Sequence, residues 1–225
     1  MTPHLKETIR QRLEDLREKQ NGLDTSVTIK LFNSIPNHDR PGIPSKYDIS
    51  PTEGLQLDEQ NALLHFYGKT AAEALAMYAE NPIHYEEDIL FMGWNAFAYY
   101  IDTPYTILLQ EKEQARNTII EEGDPHPASD NAGALLMLIS SHLEHPPSGL
   151  FDQPSAAVSQ LLLHLADIVA DCAEIVQLDP PGYNYGRKYL RYPAICGLVS
   201  YAETVRANPH TAITPGEIMR LHRLS

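Results

Sequence analysis

Apolar residues recur at three- and four-residue spacing through most of this chain, the period of helices with one buried face. In residues 4 to 20, Leu5, Ile9, Leu13 and Leu16 make a narrow stripe on a highly charged segment. Such a helix docks on a body or pairs with a copy of itself, which would give a homo-oligomer through residues 5 to 16. The stripe is too short for a coiled coil, which needs about three or four heptads. The period changes to two in "SVTIKLFNSI", residues 26 to 35, where Val27, Ile29 and Leu31 alternate with polar neighbours. This is the one short strand or hairpin the pattern predicts. Prolines at 36, 41, 44 and 51 then mark an irregular connection.

Helical signals dominate from there. Thr70 followed by Glu73 forms a capping box, and Asn81-Pro82 stops the run. Thr103 can cap another helix, with Pro104 in its first turn and Gly123 closing it. Further helices are predicted over residues 131–144, 155–177 and 194–207, with a short one after Pro215. The expected fold is mainly α: a compact multi-helix array around one core, with residues 1–20 as a charged arm and 21–225 as a single helical domain.

The most apolar and aromatic segment is "EEDILFMGWNAFAYYID", residues 86 to 102. Its uninterrupted apolar part, Ile89 to Ile101, contains Gly93 and Asn95 and falls short of the roughly 20 residues a membrane span needs. Read as one helix, it sets Leu90, Trp94, Phe97 and Ile101 on a core-facing seam and Asp88, Asn95 and Asp102 on the opposite, wet stripe. Tyr99, Tyr100 and Tyr105 add hydroxyls that need partners, for which Glu86, Glu87 and Asp102 are the nearest candidates. The segment is therefore core first and pocket wall second.

"GKTAAEAL" followed by "EDILFMGWNAFAYY" resembles a pattern of uncharacterised bacterial helical domains over about residues 66 to 101. The resemblance implies a bacterial, cytoplasmic protein. It carries no catalytic residues and implies no activity.

Composition is that of an ordinary globular chain: 225 residues, 43% hydrophobic and 21% charged, with a formal net charge of −13. The charge is unevenly spread. The first 20 residues carry +1 and residues 185–225 carry +4, leaving −18 for residues 21–184. Residues 82–125 alone hold nine acidic and two basic side chains. That balance argues against a nucleic-acid ligand and for a basic protein partner. The exception is "YNYGRKYLRYP", whose mixture of aromatic and basic side chains is the kind found at phosphate sites. Cys172 and Cys196 lie in apolar helical contexts that suit buried thiols in a reducing compartment, although spacing alone leaves a disulfide open. The N-terminal residues lack a signal-type apolar stretch, so the expected location is cytoplasmic, with no membrane partner.

No nucleophile elbow, P-loop, dinucleotide fingerprint or zinc-protease motif occurs, so no catalytic residue and no cofactor is predicted. His84 beside Tyr85, Glu86 and Glu87 is an acid/base candidate that reads more simply as a polar residue at a helix entrance. Gln160, His164, Asp167, Asp171 and Glu174 share one face of an otherwise aliphatic helix. With His142 and His145 from the preceding helix, His164, Asp167 and Asp171 form the set a divalent metal would use. The simpler reading is a solvated stripe.

These observations lead to an acidic helical protein-binding module, of inhibitor or immunity type toward a basic partner. Glu86, Glu87, Asp102, Glu111, Glu113, Glu121 and Glu122 would steer and rim the contact, and exposed members of the set Tyr99, Tyr100 and Tyr105 would anchor it. A metal-dependent hydrolase and a self-assembling structural domain are the alternatives.

Overall fold

The computed structural model describes residues 32–33, 35, 40–53, 57–115, 124–148, 150–151, 155–209 and 214–217. The predicted helix over 4–20 lies outside them, as does all of the predicted strand except Phe32, Asn33 and Ile35; Phe32 and Asn33 are helical rather than extended. Among the described residues the fold is α-helical with no strand. It divides into two compact units, Met1–Thr103 and Pro104–Ser225. No described helix is long and apolar enough to cross a membrane.

The first unit holds α1 (Lys46–Ile49), α2 (Leu57–Phe66), α3 (Ala71–Tyr78), α4 (Pro82–Leu90) and α5 (Trp94–Tyr100). α1 interrupts the connection that the prolines suggested would be irregular throughout. Its start is a capping box: the Asp48 amide donates to Ser45 Oγ, and the Ser45 amide donates to Asp48 Oδ2 at 2.8 Å. Lys46 is buried, and its ammonium donates to the Phe32 and Ile35 carbonyls at 3.1 and 2.8 Å while lying 4.7 Å from the Phe32 ring centre. Three neutral acceptor surfaces thus replace the water this charge has lost. α3 opens on the predicted Thr70–Glu73 box, and Glu73 also receives Arg40 at 3.1 Å.

Residues 86–102 do not form the one helix expected. α4 ends at Leu90 and α5 begins at Trp94. Gly93 is the cause: its amide donates to the Asp48 carbonyl at 2.9 Å, and a Cβ there would stand 2.7 Å from that oxygen. The seam survives the break, since Trp94, Phe97 and Ile101 are buried, but the wet stripe does not. Asn95 and Asp102 are exposed, whereas Asp88 is buried. Tyr100 is fully buried, and its hydroxyl donates to the Phe66 and Lys69 carbonyls at 3.0 and 2.8 Å. The buried hydroxyl thereby finds acceptors at and just beyond the end of α2.

α6 (Asp102–Ala115) starts one residue before the predicted cap, and Thr103 is buried inside its first turn. The second unit continues with α7 (Ser129–Glu144), α8 (Ala156–Leu178), a 3-10 turn at Tyr189–Arg191 and α9 (Pro193–Ala207). α7, α8 and α9 pack on one another. Ala132, Gly133, Ala134, Leu135, Leu136, Leu138, Ile139 and Leu143 bury α7 on almost every side. Asp179, the residue that ends α8, accepts the His126 amide at 2.9 Å and the Ser129 hydroxyl at the start of α7. A carboxylate there satisfies the His126 amide and suits the positive end of α7. Both cysteines are free thiols. Cys172 is buried, which pushes its thiol pKa well up.

Candidate functional site

The predicted acidic and aromatic set divides between the two units. In the first, Glu87 and Asp102 are exposed, Glu86 and Tyr99 are half-buried, and Tyr100 belongs to the core. In the second, Glu113 is exposed, while Glu111 and Tyr105 are half-buried on α6. Glu121 and Glu122 lie outside the described residues. The partners expected for the tyrosines are not the ones they use. Tyr100 bonds to backbone carbonyls, and Tyr105 donates to Asp171 at 2.6 Å. Burial, followed by the Asp171 carboxylate, raises the Tyr105 hydroxyl far above its ordinary value. Burial also raises Glu111, against the pull of the Asn131 amide that donates to it at 2.7 Å.

The metal-type set proves to be a lattice of pairs. His142 is buried and bonds through Nδ1 to the Leu138 carbonyl at 2.9 Å, one turn back on its own helix. His145 does the same with Ser141 at 3.2 Å. Asp167 receives Arg206 at 2.6 Å. Asp171 receives the Tyr105 hydroxyl and, at 3.0 Å, the Lys112 ammonium, which also reaches Glu174 at 2.7 Å. Burial alone would raise Asp171, but these two donors more than offset it and hold its carboxyl below the usual range. The His164 ring stands 6.0 Å from that of Tyr105. Among the described residues no three His, Cys, Asp or Glu side chains are grouped so as to hold a metal ion. The helical spacing did put these residues on one face. What it could not show is that α6 and α9 bring cations to them.

The structure adds a cluster that spacing did not reveal. His65 on α2 bonds through Nδ1 to Asp88 Oδ2 on α4 at 2.5 Å. The His84 and Tyr85 rings each lie 5.1 Å from the His65 ring. Burial, the largest influence, raises the Asp88 carboxyl despite the pull of His65 and His84. Burial likewise raises Tyr85, with help from Glu80 and Asp88. A carboxylate bonded to one imidazole nitrogen fixes the tautomer and orientation of the ring. His84 was the only member visible as a candidate, because His65 and Asp88 lie 23 residues apart.

Outside this cluster, α4 turns one face to solvent. Ile83 is 78% exposed, and Glu87, one turn further on, is exposed on the same helical face. Glu80, also exposed, sits in the turn just before the helix. Neither Glu80 nor Glu87 bonds to a cation among the described residues. No protein-family model matches the chain, and no curated protein or solved structure matches it either.

Proposed function

We propose that this chain is a cytoplasmic protein-binding module that engages a basic protein partner through its acidic surface, in the manner of an inhibitor or immunity protein. The observation that carries the reading is the outer face of α4, where an aliphatic side chain 78% exposed lies one turn before the exposed Glu87, with the exposed Glu80 in the turn that leads into the helix. An exposed apolar anchor beside charged side chains, which loses its water when a partner docks, is the usual anatomy of a binding hot spot. Glu86 and Asp102 add to the acidic character of this unit, and the −13 net charge would speed encounter with a basic protein. The metal-dependent alternative has no comparable support, since Asp167 and Asp171 are already bonded to Arg206, Lys112 and Tyr105.

The test is affinity capture from a lysate of the native host, washed with low and then high salt. One stoichiometric basic protein released by salt is expected. A column that retains nothing at low salt contradicts the proposal.

A further inference from the structure

The loop between α8 and α9 collects aromatic rings and cations on an otherwise acidic chain. The Tyr189 ring meets Tyr185 at 6.2 Å and Tyr192 at 5.1 Å, both edge to face. The Lys188 ammonium lies 4.7 Å from the Tyr189 ring centre and 5.2 Å from that of Tyr185. Tyr185 and Tyr192 are each 37% exposed, and Lys188 and Arg191 are exposed as well. Val199, also exposed, lies two helical turns beyond Tyr192 on α9. Arg40, Lys112 and Arg206 each bond to a carboxylate. Lys188 and Arg191 bond to none among the described residues. Here tyrosines and a valine are rimmed by two unneutralised cations, the composition of an interface that receives an acidic partner.

We infer that this patch docks the outer face of α4 of a second copy of the chain. The two surfaces are complementary in kind: Glu80 and Glu87 flank Ile83 on one, and Lys188 and Arg191 flank the tyrosines on the other. Patch against patch would oppose Lys188 and Arg191 to their own copies, so the contact pairs the patch of one copy with α4 of the other. The inference rests on the reading of α4 as a binding face. It adds that a basic partner competes with self-association for that face.

Sedimentation equilibrium of the full chain tests this without any partner. At about 100 mM salt, which screens the general repulsion between two chains of charge −13 beyond about 10 Å, the weight-average mass is expected to rise with concentration above the 25.2 kDa monomer, and at about 500 mM to return to it. Lys188→Glu with Arg191→Glu, and separately Glu80→Lys with Glu87→Lys, should each weaken association by about tenfold or more. Mixing the two charge-reversed proteins should restore it, because each then meets its complement. That rescue also shows that both variants fold. A mass that stays monomeric at low salt overturns the inference, as does association that neither variant alters. A monomeric protein that binds a single-stranded oligonucleotide through Lys188 and Arg191 also overturns it, assigning the patch to nucleic acid. None of these results bears on partner capture from lysate, so the two proposals fail separately.

Discussion

Arg187 donates its Nε–H to the Val176 carbonyl at 2.8 Å, closing the C-terminal end of α8 from eleven residues further along the chain. The same guanidinium also bonds to the carbonyls of Gln177 at 3.1 Å, Asp179 and Pro180 at 3.4 Å. The last carbonyls of a helix have no partner within it, and they carry the negative end of its dipole. A planar cationic fork meets both needs at once. It also folds the loop back over α8, which sets the position of Lys188 and the tyrosines beside it.

Replacing Arg187 with Met should therefore cost about 2 kcal/mol, the scale of charge-assisted bonds to partly buried acceptors. Arg187→Lys should recover only part of this, because a point charge cannot span four carbonyls. Urea denaturation followed by circular dichroism checks the order. Equal stability of the Met variant and the wild type would show that solvent serves the helix end as well as Arg187 does.

The loop also approaches closely enough to require glycine. A Cβ on Gly186 would stand 2.4 Å from Val176 Cγ1, and one on Gly133 would stand 2.4 Å from the Tyr185 ring. Val176 is fully buried and β-branched, so it cannot move aside, whereas the half-open Tyr185 ring can. Gly186→Ala is expected to lose about 2 kcal/mol and Gly133→Ala about half that. A larger loss at Gly133 would contradict this ordering.

Tyr100→Phe keeps the ring on Phe66, 4.9 Å between centres, and removes only the hydroxyl that serves two carbonyls. The expected loss is about 1–2 kcal/mol. Trp94, the one tryptophan in the chain and buried in the same unit, reports it by fluorescence during denaturation. No change would mean that water replaces the hydroxyl.

Asp88 gives the fold a specific pH dependence. Burial raises its carboxyl above the ordinary 3.8, so the folded chain holds a proton that the unfolded chain has released. The stability linked to Asp88 is therefore greatest below that ordinary value and declines as pH rises toward the folded value. Asp88→Asn does not ionise. Wild-type stability minus that of the variant should fall as pH rises above 3.8, and parallel curves would contradict the assignment.

The helices of the second unit were legible because α7, α8 and α9 bury continuous apolar faces and begin or end at Ser155, Pro193 and the 145–147 segment. The Thr70–Glu73 box was equally plain, being local chemistry. The sequence "SKYD" carried the same signal for α1, hidden among prolines. The break at Gly93 was not legible, since it depends on the carbonyl of Asp48, 45 residues away. Asp88 was misread for the same reason. Its seven-residue spacing to Asn95 is helical, but the chain turns between them and His65 covers the carboxylate. Long-range partners likewise turned the Asp167–Asp171 stripe into ion pairs. Periodicity finds faces; it does not say what covers them.

The acidic-face account is tested most directly by titrating the captured basic partner against wild type and against Glu80→Lys with Glu87→Lys, at low and high salt. The account predicts that the reversed protein binds at least about tenfold more weakly at low salt and that the gap narrows as salt screens the charges. Equal affinity of the two proteins, with the same salt dependence, would contradict it.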